Sequence, residues 1–149
     1  MKVVVVSGGF DPVHVGHIRL FKEGKELGDK LIVILNNDEF LMRKKGYVFM
    51  PFEQRKEILE SIRYIDEVFD SSDQDDSVCE SLKAIRNAHI NNKIVFANGG
   101  DRGSSESILE SEACEKLNIE LAFGVGGTNK PQSSSWLTDS IRRRRLASD

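Results

Sequence analysis

The stretch Ser7-Gly8-Gly9-Phe10-Asp11-Pro12-Val13-His14-Val15-Gly16-His17 gathers the residue types that bind anions. Paired glycines let a backbone approach a ligand closely. His14 and His17 stand at helical spacing where a helical pattern begins, so they share one face and can reach the same phosphate. The start of that helix adds unpaired N–H groups and a partial positive charge. Gly16, between the histidines, removes a side chain where a nucleotide could press against the helix. Two other chemistries fit less well. The glycines do not follow the GxGxxG spacing of a dinucleotide loop. Beyond this pair the chain has a single histidine, His89, and no cysteine nearby in sequence, too few ligands for zinc.

Such a loop needs a rigid frame. Val3 to Val6 are continuous and β-branched, the pattern of a strand covered on both faces. Helical spacing follows from Val15 to Leu27, with Ile18, Leu20, Phe21, Gly24 and Leu27 on one side and Gly28 placed to stop it. Leu31 to Leu35 reads as a second strand, Arg43, Lys44 and Lys45 as a charged loop, and Phe52 to Tyr64 as a helix with Ile58, Leu59 and Ile62 inward. Further along, strands are expected at Glu67 to Phe69, Lys93 to Ala97 and Glu120 to Phe123. Helices are expected at Val78 to Ala88 and Ile108 to Leu117, the latter with Asn118 as a left-handed cap, and Trp136, Leu137 and Ile141 open a last one. Strands alternating with helices predict one α/β domain over residues 1–149, a doubly wound parallel five-stranded sheet. Ligands then sit at the carboxyl ends of the strands, so the loops after Val6, Leu35, Ala97 and Phe123 should hold the site.

Composition narrows the function. A formal net charge of -3 over 149 residues gives no basic surface for nucleic acid. Arg142 to Arg145 fit a helix end, where cations complement the dipole. The acidic run Asp70 to Asp76 lacks EF-hand spacing and reads as solvated surface. No apolar run is long enough to span a bilayer, and the valine run is too short for a signal-peptide core. Cys79 and Cys114, without CxxC spacing, read as free thiols, and the expected location is the cytoplasm.

The opening Gly-Gly-Phe-Asp-Pro-Val-His-Val-Gly-His, set after a buried first strand, resembles the HxGH signature of the cytidylyltransferase-like nucleotidyltransferase superfamily, a Rossmann-like fold. Ile34 to Phe40, the following lysines, Glu53-Gln54-Arg55 and Ser61 to Val68 are most similar to the glycerol-3-phosphate cytidylyltransferases, with heptose-phosphate adenylyltransferases similar over much of the same span. The resemblance implies that His14 and His17 contact the α- and β-phosphates of a nucleoside triphosphate. A lysine of the second loop joins them, Lys44 as first choice and Lys45 as second. It places a phosphate-contacting arginine at Arg63, whose alternative is a surface ion pair with Asp66 or Glu67; Arg55 is expected to be structural or substrate-facing. Gly8, Gly9, Phe10, Asp11 and Gly16 would line the nucleotide. Asn98, Gly100, Asp101 and Arg102 would read its base, with Asp101 accepting from an exocyclic amine found on cytosine and adenine alike. Ser133, Ser134 and Ser135 would hold the β- and γ-phosphates. The cytidylyltransferases usually carry an arginine and a threonine just before that run; here Gly127-Thr128 stand instead, with Lys130 as a substitute charge. That departure leaves CTP against ATP open.

The expected reaction is in-line attack by an acceptor phosphate on the α-phosphorus, driven by positioning and electrostatics, with Mg2+ on the triphosphate and mostly water around it. The expected partners are a nucleoside triphosphate, CTP favoured, and a phosphorylated small molecule such as glycerol 3-phosphate, with no nucleic acid and no membrane. The resemblance also implies a homodimer. ATP with a sugar phosphate or mononucleotide is the first alternative, and a nucleotide-binding module without turnover the second.

Overall fold

Val3, Val4, Val5 and Val6 are all fully buried, because β1 (Lys2–Gly8) is the central strand of a sheet covered on both sides. Alternate valines face opposite ways. Val3 and Val5 join Ile32, Ile34, Ile94 and Phe96 in one core cluster; Val4 and Val6 join Leu31, Val33 and Leu35 in another. Full burial of each such side chain contributes roughly 1.5–3 kcal/mol of transfer free energy. The computed structural model describes residues 1–75, 77–99, 108–127 and 137–141. The other strands are β2 (Lys30–Leu35), β3 (Glu67–Asp70), β4 (Lys93–Gly99) and β5 (Glu120–Val125), all parallel in the order β3-β2-β1-β4-β5. The expected doubly wound sheet is present. Strand order reverses between β1 and β4, which places the ligand crevice at their carboxyl ends.

Helices α1 (Val15–Glu26) and α3 (Phe52–Glu60) cover one face through Leu20, Phe21 and Leu59; α4 (Cys79–Ala88) and α5 (Ile108–Lys116) cover the other through Leu82, Ile85 and Cys114. Asn118 takes the expected left-handed conformation, at φ 55°. Four local expectations change. Residues 43–45 are not a loop but the last turn of α2 (Asp38–Lys45), capped by Asn37 Oδ1 on the Phe40 N–H and closed by Gly46 at φ 83°. Only Leu41 of α2 is buried, so no apolar period announced the helix. Helix α3 stops at Glu60 rather than Tyr64, and Ile58 is exposed. The strands run on to Gly8, Asp70, Gly99 and Val125, so the site loops begin later than their apolar runs suggest. Gly28 does not end α1 by a left-handed turn, since Leu27 caps it in the right-handed region. A Cβ at Gly28 would lie 2.8 Å from the Lys2 carbonyl, so close packing against β1 demands the glycine.

The loops at the carboxyl ends are tied together by Arg55, whose side chain is entirely buried. Its Nε donates to Met50 O at 2.9 Å, Nη1 to Gly9 O and Asn36 O at 2.8 Å each, and Nη2 to Asp38 Oδ1 at 2.6 Å. Of the two roles left open for it, the structure shows the structural one.

Two predictions arise from the fold. Arg55→Met should lower unfolding free energy by about 3 kcal/mol, since three carbonyl oxygens and one carboxylate lose a charged donor. Urea denaturation tests this, and a loss no larger than that of an ordinary surface substitution would contradict it. Both cysteines are free; burial pushes the Cys114 thiol up to about 12, and also raises the half-buried Cys79 thiol. Iodoacetamide at pH 8 should therefore leave Cys114 unmodified in the folded protein and modify it after denaturation, because the thiolate is the reactive form. Mass spectrometry of native samples distinguishes the outcomes; fast labelling of Cys114 would contradict its burial.

Candidate active site

His14 is the N-cap of α1, and its Nδ1 accepts the Gly16 N–H at 3.1 Å. His17, one turn on, accepts the His14 N–H through its own Nδ1 at 3.2 Å. Each ring is thus both a cap and a candidate ligand. With both Nδ1 atoms accepting, the proton of each neutral imidazole sits on Nε2, and each ring presents an N–H donor there. The rings stack with centroids 3.7 Å apart and planes at 26°, so the two donors belong to one unit. The helix start differs from expectation in one respect. The Gly16 amide bonds His14, so that backbone N–H is not one of the unpaired donors expected there.

Phe10 backs this pair. Its ring meets His17 edge-on at 4.8 Å and Phe21 at 5.2 Å, and its backbone is left-handed at φ 49°. A Cβ at Gly8 would come within 2.9 Å of the Phe10 ring, and one at Gly9 within 2.5 Å of Leu41 Cδ2. These glycines let Phe10 and α2 close on the loop. The Asp11–Pro12 peptide is cis.

Asp11 is buried, and its two carboxylate oxygens accept the N–H groups of Phe49 and Met50 at 2.6 Å each. It anchors the segment after α2 rather than reaching outward. The two lysines diverge. Lys45 Nζ donates to Asp11 O at 3.1 Å, which brings it to the histidine loop, and lies 5.3 Å from the Tyr47 ring centroid. Lys44 is exposed and extends over Phe40, 5.9 Å from that ring's centroid.

Arg63 lies at the other end of the sheet. It follows α3, which starts beside Gly9 and Asn36 and runs back toward Asp66, and Asp66 Oδ2 accepts the N–H of Leu31 near the start of β2. Its guanidinium donates to the Tyr64 hydroxyl at 2.9 Å, and Lys25, not Arg63, pairs with Asp66. Within the chain, Arg63 is therefore not brought to the histidines, a correction whose reason is that α3 runs away from them. Asn98 is buried at the end of β4, with Nδ2 3.5 Å from Ala122 O of β5. Glu23 of α1 accepts the Gly126 N–H at 2.6 Å, which draws the loop after β5 onto α1. Gly100, Asp101, Arg102, Ser133, Ser134, Ser135 and Lys130 lie outside the described residues.

No group of three or more metal-ligating side chains occurs among the described residues. Both Asp11 oxygens accept backbone N–H groups, and Asp38 pairs with Arg55. The described loop is therefore built of donors and cations, which suit phosphate oxygens and do not form a Mg2+ ligand set. No helix among the described residues is long and apolar enough to cross a membrane.

Residues 5–118 match the family model for cytidylyltransferase-like proteins. The chain is 34% identical over 128 residues to a glycerol-3-phosphate cytidylyltransferase of Bacillus subtilis (strain 168), covering 86% of this chain and 93% of that protein. An FAD synthase of Thermococcus kodakarensis is 51% identical over 67 residues, covering 44% of this chain and 45% of that protein. Among solved structures, a lipopolysaccharide core biosynthesis protein from Thermoplasma volcanium GSS1 superposes with a TM-score of 0.61 at 26% identity, covering 83% of this chain and 94% of that one. The histidine signature on α1, the parallel sheet that carries it and these likenesses agree: the chain belongs to the cytidylyltransferase-like family of nucleotidyltransferases.

Proposed function

We propose that this nucleotidyltransferase moves a cytidylyl group from CTP to a phosphorylated polyol such as glycerol 3-phosphate. The observation that carries nucleotidyl transfer is the stacked His14–His17 pair, whose Nδ1 atoms are both engaged by backbone N–H groups. An acceptor phosphate oxygen attacks the α-phosphorus in line; the new O–P bond forms as the bond to the β-phosphate oxygen breaks, and pyrophosphate leaves. Charge builds on phosphate oxygens, where the two Nε2–H groups donate. Lys45 adds the positive charge, in preference to Lys44, because it is already tied to the histidine loop. Magnesium, when bound, neutralises the triphosphate and would be held by phosphate oxygens and water. The choice of CTP rests on the match over 93% of the Bacillus subtilis enzyme's length. Adenylyl transfer is the second reading, favoured by the higher identity to the FAD synthase over a shorter span. Asp101 remains the proposed reader of the base, and Ser133 to Ser135 the proposed grip on the β- and γ-phosphates.

Pyrophosphate release, measured with CTP and ATP against glycerol 3-phosphate, sugar phosphates and a mononucleotide, tests the assignment. Release with none of them would leave only a nucleotide-binding module. His14→Asn separates cap from chemistry, because an asparagine oxygen still caps the helix while the imidazole Nε2–H is lost. Turnover should fall at least about 100-fold with little change in melting temperature. Normal turnover by a folded His14→Asn protein would remove the histidine from the mechanism. Lys45→Met should raise the triphosphate Kd about 10-fold or more and lower kcat, whereas Lys44→Met should leave both near wild type. The reverse pattern would restore Lys44 as the phosphate lysine.

A further inference from the structure

We infer that Tyr47 is a positioning residue for Lys45, held in place by a hydroxyl bond to Thr138. This rests on the assignment of Lys45 made above. Helix α2 ends at Lys45, and the left-handed Gly46 turns the chain sharply, so Tyr47 comes back beside the lysine it follows. Lys45 Nζ stands 5.3 Å from the Tyr47 ring centroid and 3.1 Å from Asp11 O. A lysine side chain is flexible, and these two contacts narrow where its ammonium can be.

The ring itself needs an anchor. Asp11 grips the segment only from Phe49 onward. The Tyr47 hydroxyl is held instead by Thr138 Oγ1 at 2.7 Å, across 91 residues of sequence, and Thr138 is only 6% exposed. Thr138 belongs to the helical turn 137–141, which in sequence follows the serines proposed to bind phosphate. One hydroxyl pair thus links the lysine side of the site to the C-terminal segment. A neutral bond between hydroxyls adds modestly to stability. Its place on the ring that meets a cation which must be aimed is what gives it a role.

Tyr47→Phe keeps the ring and removes the hydroxyl; Thr138→Val removes the partner at nearly constant shape. We would titrate CTP and ATP by calorimetry into wild type, each single variant, the Tyr47→Phe/Thr138→Val pair, Lys45→Met, and Tyr47→Phe in the Lys45→Met background. Each hydroxyl deletion should weaken the bound triphosphate about 3- to 10-fold. The two deletions together should cost no more than one, since they break the same bond. In the Lys45→Met background Tyr47→Phe should cost nothing further, which a general structural support would not show. An unchanged Kd for Tyr47→Phe, where Lys45→Met weakens binding, overturns the inference alone. So does a Tyr47→Phe penalty of equal size with and without Lys45. If Lys45→Met has no effect on either triphosphate, the lysine assignment falls and the inference with it, while the His14→Asn result still decides the transferase reading.

Discussion

The guanidinium of Arg55 holds together the ends of the two strands that frame the histidines. Its planar fork of donors reaches Gly9 after β1, Asn36 and Asp38 after β2, and Met50 before α3. Beyond the last backbone bond between β1 and β2, from the Asn36 N–H to Gly8 O at 3.0 Å, side chains tie these segments together. Asp11 completes the arrangement. Met50 is held at its carbonyl by Arg55 and at its N–H by Asp11, and the Asp11 carbonyl in turn receives Lys45. The charged residues of the framework are thus bonded mostly to backbone, the arrangement in which a buried charge is least costly.

On that frame the histidines serve two purposes at once. A helix that carries an imidazole as its own cap fixes the ring at the helix start with no separate support. The stacked pair, backed by Phe10, leaves its rings little freedom, and a preorganised donor needs no reorganisation as charge develops on phosphate. A residue placed on a flexible stem has no such guide. Lys44 and Lys45 are neighbours in sequence with the same side chain, yet one extends over Phe40 and the other turns toward Asp11, because successive positions on a helix point about 100° apart.

Much of the architecture was legible from residue types alone. A short, continuous run of β-branched residues favours a strand covered on both faces, and its alternation with helical spacing leaves few arrangements besides a parallel sheet. Short or polar elements were less legible. Helix α2 buries a single side chain, so it carries no apolar period, and its lysines looked like a loop. The end of α3 was misplaced because Ile62 and Tyr64 continue to pack on the core from beyond the last helical turn.

The sequence by itself determined the sheet, the position of the histidine loop at its carboxyl edge and the anion chemistry of that loop, since these depend on local spacing and on residue type. Tertiary structure decided the rest. It turned Lys45 rather than Lys44 toward Asp11, made Asp11 and Arg55 framework, left Arg63 at the opposite end of the sheet, and joined Tyr47 to Thr138. Each of these outcomes depends on where a long or polar side chain finds a partner distant in sequence, and the direction of such a side chain is set by folded contacts rather than by spacing along the chain.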